Sequence, residues 1–179
     1  MAGGRICGKG RILPAFPGAG GCIEGGILDA QLLPRAIQPT TFGEIGGRKS
    51  SREEALAYIF RKSHIPYQIV PEMHHWQISH LGVIIPLADA YYQSRHPEKI
   101  CANEKLMTLT AYRMKKNLKW IAQKGMLYPA KLYMIKDMPT GMLARVLSRV
   151  YQSEFGNRFL YRHAMHAPEE FQRLHQEFY

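Results

Sequence analysis

Three groups of residues in this 179-residue sequence have types and spacings that could do chemistry. His74, His75 and His80, with Glu72 beside them, are the densest group of metal-capable side chains. Zinc sites recur with two to four residues between cysteines or three to five between histidines, and they need four ligands. The spacing here, two adjacent histidines and a third five positions on, is not of that kind, and no cysteine is near. Trp76, within the group, fits an aromatic contact surface better than a metal centre. Gly3, Gly8 and Lys9 match G-x-x-x-x-G-K, a phosphate-binding loop, but the magnesium-binding Ser or Thr is replaced by Gly10. That loop also needs a strand before it and a helix after it. Only two residues precede it, and Pro14 and Pro17 follow. Nucleophilic catalysis needs Ser or Cys beside His with an orienting acid, and no G-x-S-x-G elbow marks one. The three cysteines, Cys7, Cys22 and Cys101, form no CxxC pair and read as reduced thiols. No catalytic, cofactor-binding or metal-binding residue is therefore expected, and the chain reads as a non-enzyme.

The elements that could position partner contacts are clearer. Asn103–Gly125 is the longest helical pattern. Met107, Ala111, Met114, Leu118 and Ile121 fall on one stripe. Asn103 suits an N-cap and Gly125 a left-handed C′ residue. Leu106, Leu109 and Trp120 form a second apolar strip among Arg113, Lys116 and Lys124. Two strips need two surfaces to pack against, and the outer one, with Leu109, Tyr112, Lys116 and Trp120, is expected to meet a partner. Around this helix the pattern predicts others. One follows a capping box (Ser50 with Glu53, or Ser51 with Glu54) and runs to Lys62, with Leu56, Ile59 and Phe60 inward. A connector, His64–His80, has a short extended piece at Tyr67–Val70. Pro86 fits the first turn of a helix that ends at Arg95 before Pro97. A short turn of helix covers Ala130–Lys136. A helix over Gly141–Phe155, capped by Thr140, turns Leu143, Val146, Leu147 and Val150 inward. Two short helices follow at Asn157–Met165 and Pro168–Phe178.

Residues 1–49 stand apart. They hold 12 of the 16 glycines and four prolines, Pro14, Pro17, Pro34 and Pro39. Neither a helix nor a strand period survives that density of breakers, so an extended arm is expected, ordered on neighbouring subunits. The reading is a mainly α protein: an irregular bundle of about five or six helices over residues 50–179, with a long extended Gly/Pro-rich N-terminal arm over 1–49.

Charge bounds the partners. The formal net charge is +10, from 24 Lys and Arg against only 14 acids, and the cations are spread rather than clustered. Such a balance suits an acidic protein, anionic lipid or nucleic acid. No apolar run approaches the roughly 18 residues of a membrane span. The first 23 residues carry Arg5, Lys9 and Arg11 and no acid, one feature of mitochondrial targeting segments. Eight tyrosines and Trp120 interleave with Lys and Arg, as at protein interfaces, where Tyr, Trp, Arg and Met are enriched.

Leu160-Tyr161-Arg162 resembles the tripeptide of the LYR family of small mitochondrial accessory and assembly proteins. In that family the tripeptide opens a three-helix bundle, whereas here only 17 residues follow Arg162, and no family function is carried over.

The expectation is a structural accessory subunit of a large mitochondrial assembly, a respiratory-chain or ATP synthase complex, at the inner membrane or in the matrix. Its partners would be other protein subunits, with peripheral contact to anionic lipid, and no transmembrane segment. The arm residues Arg5, Lys9, Arg11, Arg48 and Lys49 and the helix residues Leu109, Tyr112, Lys116 and Trp120 would make the contacts. The alternative is a mitochondrial ribosomal protein whose basic arm binds rRNA. A third reading, a small enzyme or metal protein, would use the His74–His80 region.

Overall fold

Proline at position 86 decides how the longest apolar helix is built. A computed structural model describes residues 11–179. In it Met73–Gln93 is one continuous helix with Pro86 inside it, where the sequence pattern placed Pro86 at a helix start. An interior proline has no N–H for the carbonyl four residues back, here Gly82. The amide of Asn117 replaces the missing donor. Its Nδ2 donates to the Gly82 carbonyl at 3.3 Å and to the Tyr179 hydroxyl at 2.8 Å. Gly82 is needed at the same point, since a Cβ there would lie 2.7 Å from Ile121 Cδ1 and 3.6 Å from Asn117 Cβ.

The chain forms two compact units, one built from the stretch up to Gly20 with Asp29–His74, the other from Gly21–Leu28 with His75–Tyr179. It is mainly helical, with a few short strands.

In the first unit β1 (Ala15–Phe16), β4 (Thr40–Phe42) and β5 (Tyr67–Ile69) make a three-stranded sheet in the order β1-β4-β5. β1 pairs antiparallel with β4, Ala15 opposite Phe42. β4 pairs parallel with β5, Thr40 opposite Tyr67 and Phe42 opposite Ile69. Helix α1 (Ser51–Lys62) makes the crossover, so β4-α1-β5 is a βαβ unit. Its core is aromatic. The Phe42 ring lies 5.6 Å from Phe60 and 6.0 Å from Tyr67, and Val70 and Met73 are buried with it.

Two expectations change here. Residues 11–49 are not a featureless arm: they carry four strands, and Thr41 and Phe42 are fully buried. Glycine and proline density does not prevent strands when a neighbouring strand and an aromatic helix face supply the burial. Ile59 is 55% exposed, and Ala57 and Glu53 take the inner face of α1.

β2 (Ala19–Glu24) and β3 (Ile27–Leu32) form a separate two-stranded hairpin. Gly25 and Gly26 turn it with φ of 58° and 80°, the left-handed pair that fits a tight hairpin to strand twist.

In the second unit the helix Met73–Gln93 (α2) packs with α3 (Glu104–Gln123), α4 (Lys131–Asp137), α5 (Thr140–Gln152), α6 (Arg162–His166) and α7 (Pro168–Phe178). A 3-10 segment, Pro97–Ala102, and a π-helical segment, Gly156–Tyr161, complete it. Seven α-helices among the described residues exceed the expected five or six, and the short turn expected near 130–136 stands as a helix in its own right, Lys131–Asp137. Helix α3 forms as its pattern requires. Met107, Ala111, Met114, Leu118 and Ile121 are all buried, the Asn103 side chain accepts the Leu106 N–H at 3.0 Å, and Gly125 has φ of 70°. Leu106 leaves the outer strip and is buried, with Thr110 and Asn117, on a wider inner face. In α5, Leu143 and Leu147 are buried as expected, while Val146 is 41% exposed and Ala144 and Tyr151 are buried. Pro139, not Thr140, holds the cap position. Thr140 Oγ1 instead accepts from Lys115 Nζ at 3.3 Å. The same ammonium donates to the Met138 carbonyl, which ties α3 to the α4–α5 turn. Around Tyr91 the packing is aromatic, with Tyr151 edge-on at 5.0 Å and Tyr161 at 5.5 Å.

Replacing Asn117 by Leu leaves the Gly82 carbonyl buried without its donor, an expected loss of about 1–3 kcal/mol in urea denaturation. Pro86→Ala restores an N–H at position 86. In that background Asn117→Leu should cost clearly less, and additive losses in the double-mutant cycle would show the two sites to be independent.

Candidate functional site

A strand, a glycine-bearing loop and a helix follow one another at Thr40–Lys62, the context in which phosphate loops occur. The loop contains Gly43, Gly46, Gly47, Arg48, Lys49 and Ser50. Sequence reasoning looked for that context at Gly3–Gly10, which lies outside the described residues, and did not single out this loop. Its signal was Lys49-Ser50 directly before a helix.

The geometry shows what fills the loop. Glu53 accepts the N–H of Glu44 at 3.0 Å and of Ser50 at 3.1 Å, so the capping box settles on Ser50 and Glu53. Glu44 accepts the Ser50 hydroxyl at 2.5 Å and Arg52 Nε at 2.6 Å. Glu72 accepts the Gly46 N–H at 2.7 Å. Three amides of this loop, those of Glu44, Gly46 and Ser50, are thus committed to the chain's own carboxylates, and Glu44 and Glu53 would repel an anion at this helix end. Arg52 and the Ser50 hydroxyl hold the Glu44 carboxyl below its ordinary value. The loop is a structural clasp.

The histidine group separates along α2. His80 stacks on Trp76 with ring centroids 4.9 Å apart and nearly parallel planes. Burial, with the charge of His163 nearby, pushes its imidazole down to about 4, so it is neutral near pH 7. Glu72 is engaged by the Gly46 and His74 N–H groups. Among the described residues no three His, Cys, Asp or Glu side chains converge as metal ligands would.

One pair escaped the sequence reading because its members are far apart in the chain. His175 Nδ1 lies 3.1 Å from Asp89 Oδ2, an arrangement in which a carboxylate orients an imidazole. Burial raises the Asp89 carboxyl, while His175 and Arg113 pull it down. The ring of His175 packs on Tyr179 at 4.7 Å. The pair fastens α7 to α2, alongside Tyr92, whose hydroxyl donates to the Ala164 carbonyl at 2.6 Å. Burial raises the Tyr91 and Tyr151 hydroxyls, so neither is poised to lose a proton near neutrality, and Tyr151 donates to the Leu87 carbonyl at 2.8 Å.

The expected contact residues divide. Arg5 and Lys9 lie outside the described residues. Arg11, Arg48 and Lys49 are exposed, the last two on the clasped loop before α1. On α3, Leu109 is 38%, Tyr112 57% and Trp120 47% exposed, and Lys116 is exposed among them. Lys124 Nζ sits over the Trp120 ring at 5.9 Å. On this strip exposed apolar and cationic side chains share one face of one helix. Leu160-Tyr161-Arg162 lies where the π segment passes into α6, with the Tyr161 ring against Tyr91, near the end of its unit and not at the opening of a bundle.

Comparison with known protein families, with curated proteins and with solved structures finds no match to this chain.

Two pH effects follow. The His80 value is depressed in the fold, so its contribution is complete above about pH 6.5 and is lost as pH falls toward 4. Chemical denaturation across that window should show a decline of up to about 3 kcal/mol. His80→Phe should flatten it, and an unchanged pH profile would remove His80 as its source. Glu44 is likewise depressed, so its contribution holds above about 4.5 and is lost as pH falls below that. Glu44→Gln, which keeps the shape but not the charge that accepts from Arg52, should remove this acid-dependent part of the denaturation profile, and an unchanged profile would clear Glu44 as its source.

Proposed function

We propose that this chain is a non-catalytic structural subunit of a large mitochondrial assembly, a respiratory-chain or ATP synthase complex. The observation that carries the reading is the outer strip of α3. A helix that already buries one full stripe presents Leu109, Tyr112 and Trp120 on another, among lysines. Tyr, Trp and cations on one rigid element are the composition of an interface centre. The exposed Ile23, Ile27 and Leu28 of the hairpin add a second apolar surface. The polar networks favour the same reading: the clasp of Glu44, Glu53 and Glu72 and the Asp89–His175 pair satisfy the chain's own backbone and helices, as structural groups do. The mitochondrial address rests on the acid-poor start with Arg5, Lys9 and Arg11. No helix among the described residues is long and apolar enough to cross a membrane. Contact with anionic lipid would be peripheral.

The mitochondrial ribosome is the second reading. The observation favouring it is the net charge of +10, with Arg11, Arg48 and Lys49 exposed in the N-terminal part and free to meet rRNA phosphate.

Tagged protein fractionated by native size from detergent-solubilised organelles, with and without RNase, tests both. Migration in a very large species that survives RNase is the expected result. Collapse on RNase would transfer the assignment to the ribosome. Migration near 20.5 kDa in both conditions would overturn an assembly role. A deletion of residues 1–47 does not isolate the arm, because it also removes β4 and the buried Phe42.

A further inference from the structure

Leu109, Tyr112, Lys116 and Trp120 are spaced three, four and four, and at 100° per residue they fall within about 80° of arc. That spacing is the seam pattern of one helix laid along another. Three of the four are large apolar side chains between 38% and 57% exposed, and the cation stands inside the seam. From Lys105 to Lys124 the helix has no acid. Among the described residues, Lys105, Lys116 and Lys119 take part in no ion pair.

These facts select among occupants. A second copy of the same strip would set cation against cation with no acid to relieve it, so self-pairing is disfavoured. A bilayer surface takes a broad apolar face with lysines at its margins, whereas Lys116 divides this strip between Tyr112 and Trp120. A helix fits, since its grooves accept knobs at this spacing, and a single polar residue at a seam position fixes register through a complementary partner. Resting on the reading of the chain as an assembly subunit, we propose that the outer strip of α3 seats an amphipathic helix of a neighbouring protein subunit, with an Asp or Glu of that helix over Lys116 and apolar side chains against Leu109, Tyr112 and Trp120. The lysine is then the register device, and Trp120 and Tyr112 are the anchors.

The test uses the full chain in its organelle. Lys116→Glu and Trp120→Ala should each weaken retention in the large species by about tenfold or more, as truncation or reversal at an interface centre does. Arg145→Glu, the same charge change on the exposed side of α5, should leave retention unchanged. Circular dichroism of the purified variants confirms that the fold is kept, which their exposure makes the expected result. A photoreactive phenylalanine analogue at position 109 or 120 should capture one and the same polypeptide, at sites about eleven residues apart on one helix carrying an acid between them. Wild type in the large species with every variant retained equally would overturn the seam and leave the assembly reading standing. Wild type at its monomer size would overturn both. Cross-links to two unrelated polypeptides or to RNA would also overturn the seam. So would flotation of the protein with phosphatidylcholine–phosphatidylserine vesicles that is lost in Lys116→Glu, accompanied by no protein cross-link.

Discussion

A proline inside a helix leaves a carbonyl without a donor, and the second unit is arranged around the repair. Pro86 withholds its N–H from Gly82, and the Asn117 amide reaches across from α3 to supply one. That bond forms only if two backbones come close, which is why position 82 has no side chain and why Ile121 packs directly over it. The same amide bonds the hydroxyl of Tyr179, so the chain's last residue is drawn to the crossing of α2 and α3. A buried amide fully engaged in this way specifies one register for three helices, where apolar packing alone would tolerate several.

The remaining polar contacts of the unit follow that logic at its edges. Ser79 accepts the Tyr128 N–H, Ser148 donates to the Cys101 carbonyl, and Lys115 closes the turn before α5. Each joins an α-helix to a segment between α-helices and satisfies a backbone group there. The interior is therefore spent on holding the chain to itself. The strip on α3 is left to the outside, and its side chains are of the kinds that contribute most when buried between proteins.

How much could be read in advance depended on where the stabilising partner lay. Helix α3 was legible from end to end, because its stripe, its Asn103 cap and its Gly125 stop are all local. The cap of α1 was legible only as a choice between Ser50–Glu53 and Ser51–Glu54, and the structure takes the first. Phe42 was not legible. Its burial comes from Phe60 and Tyr67, 18 and 25 positions away in the chain, and nothing in the Gly- and Pro-rich stretch around it announces a strand. Pro86 was misplaced because its penalty is offset by a residue 31 positions on. Ile59 and Val146 match the helical period yet face out. The Asp89–His175 pair and the engaged carboxylates of Glu44 and Glu53 are tertiary facts, so the character of the loop before α1, a clasp rather than an anion cradle, needed coordinates to see.

The hairpin has a consequence of its own. β3 is exposed along its whole length, and Ile23, Ile27 and Leu28 stand around its tip with no third strand beside it among the described residues. A ribbon of this kind offers hydrogen-bonding edges and sticky side chains to any extended polypeptide it meets. Copies that meet at high concentration would pair with one another, or with other unfolded chains, through it. Any protein that covers the ribbon would therefore also shield the chain from aggregation, and the soluble level of the chain would follow that of its cover.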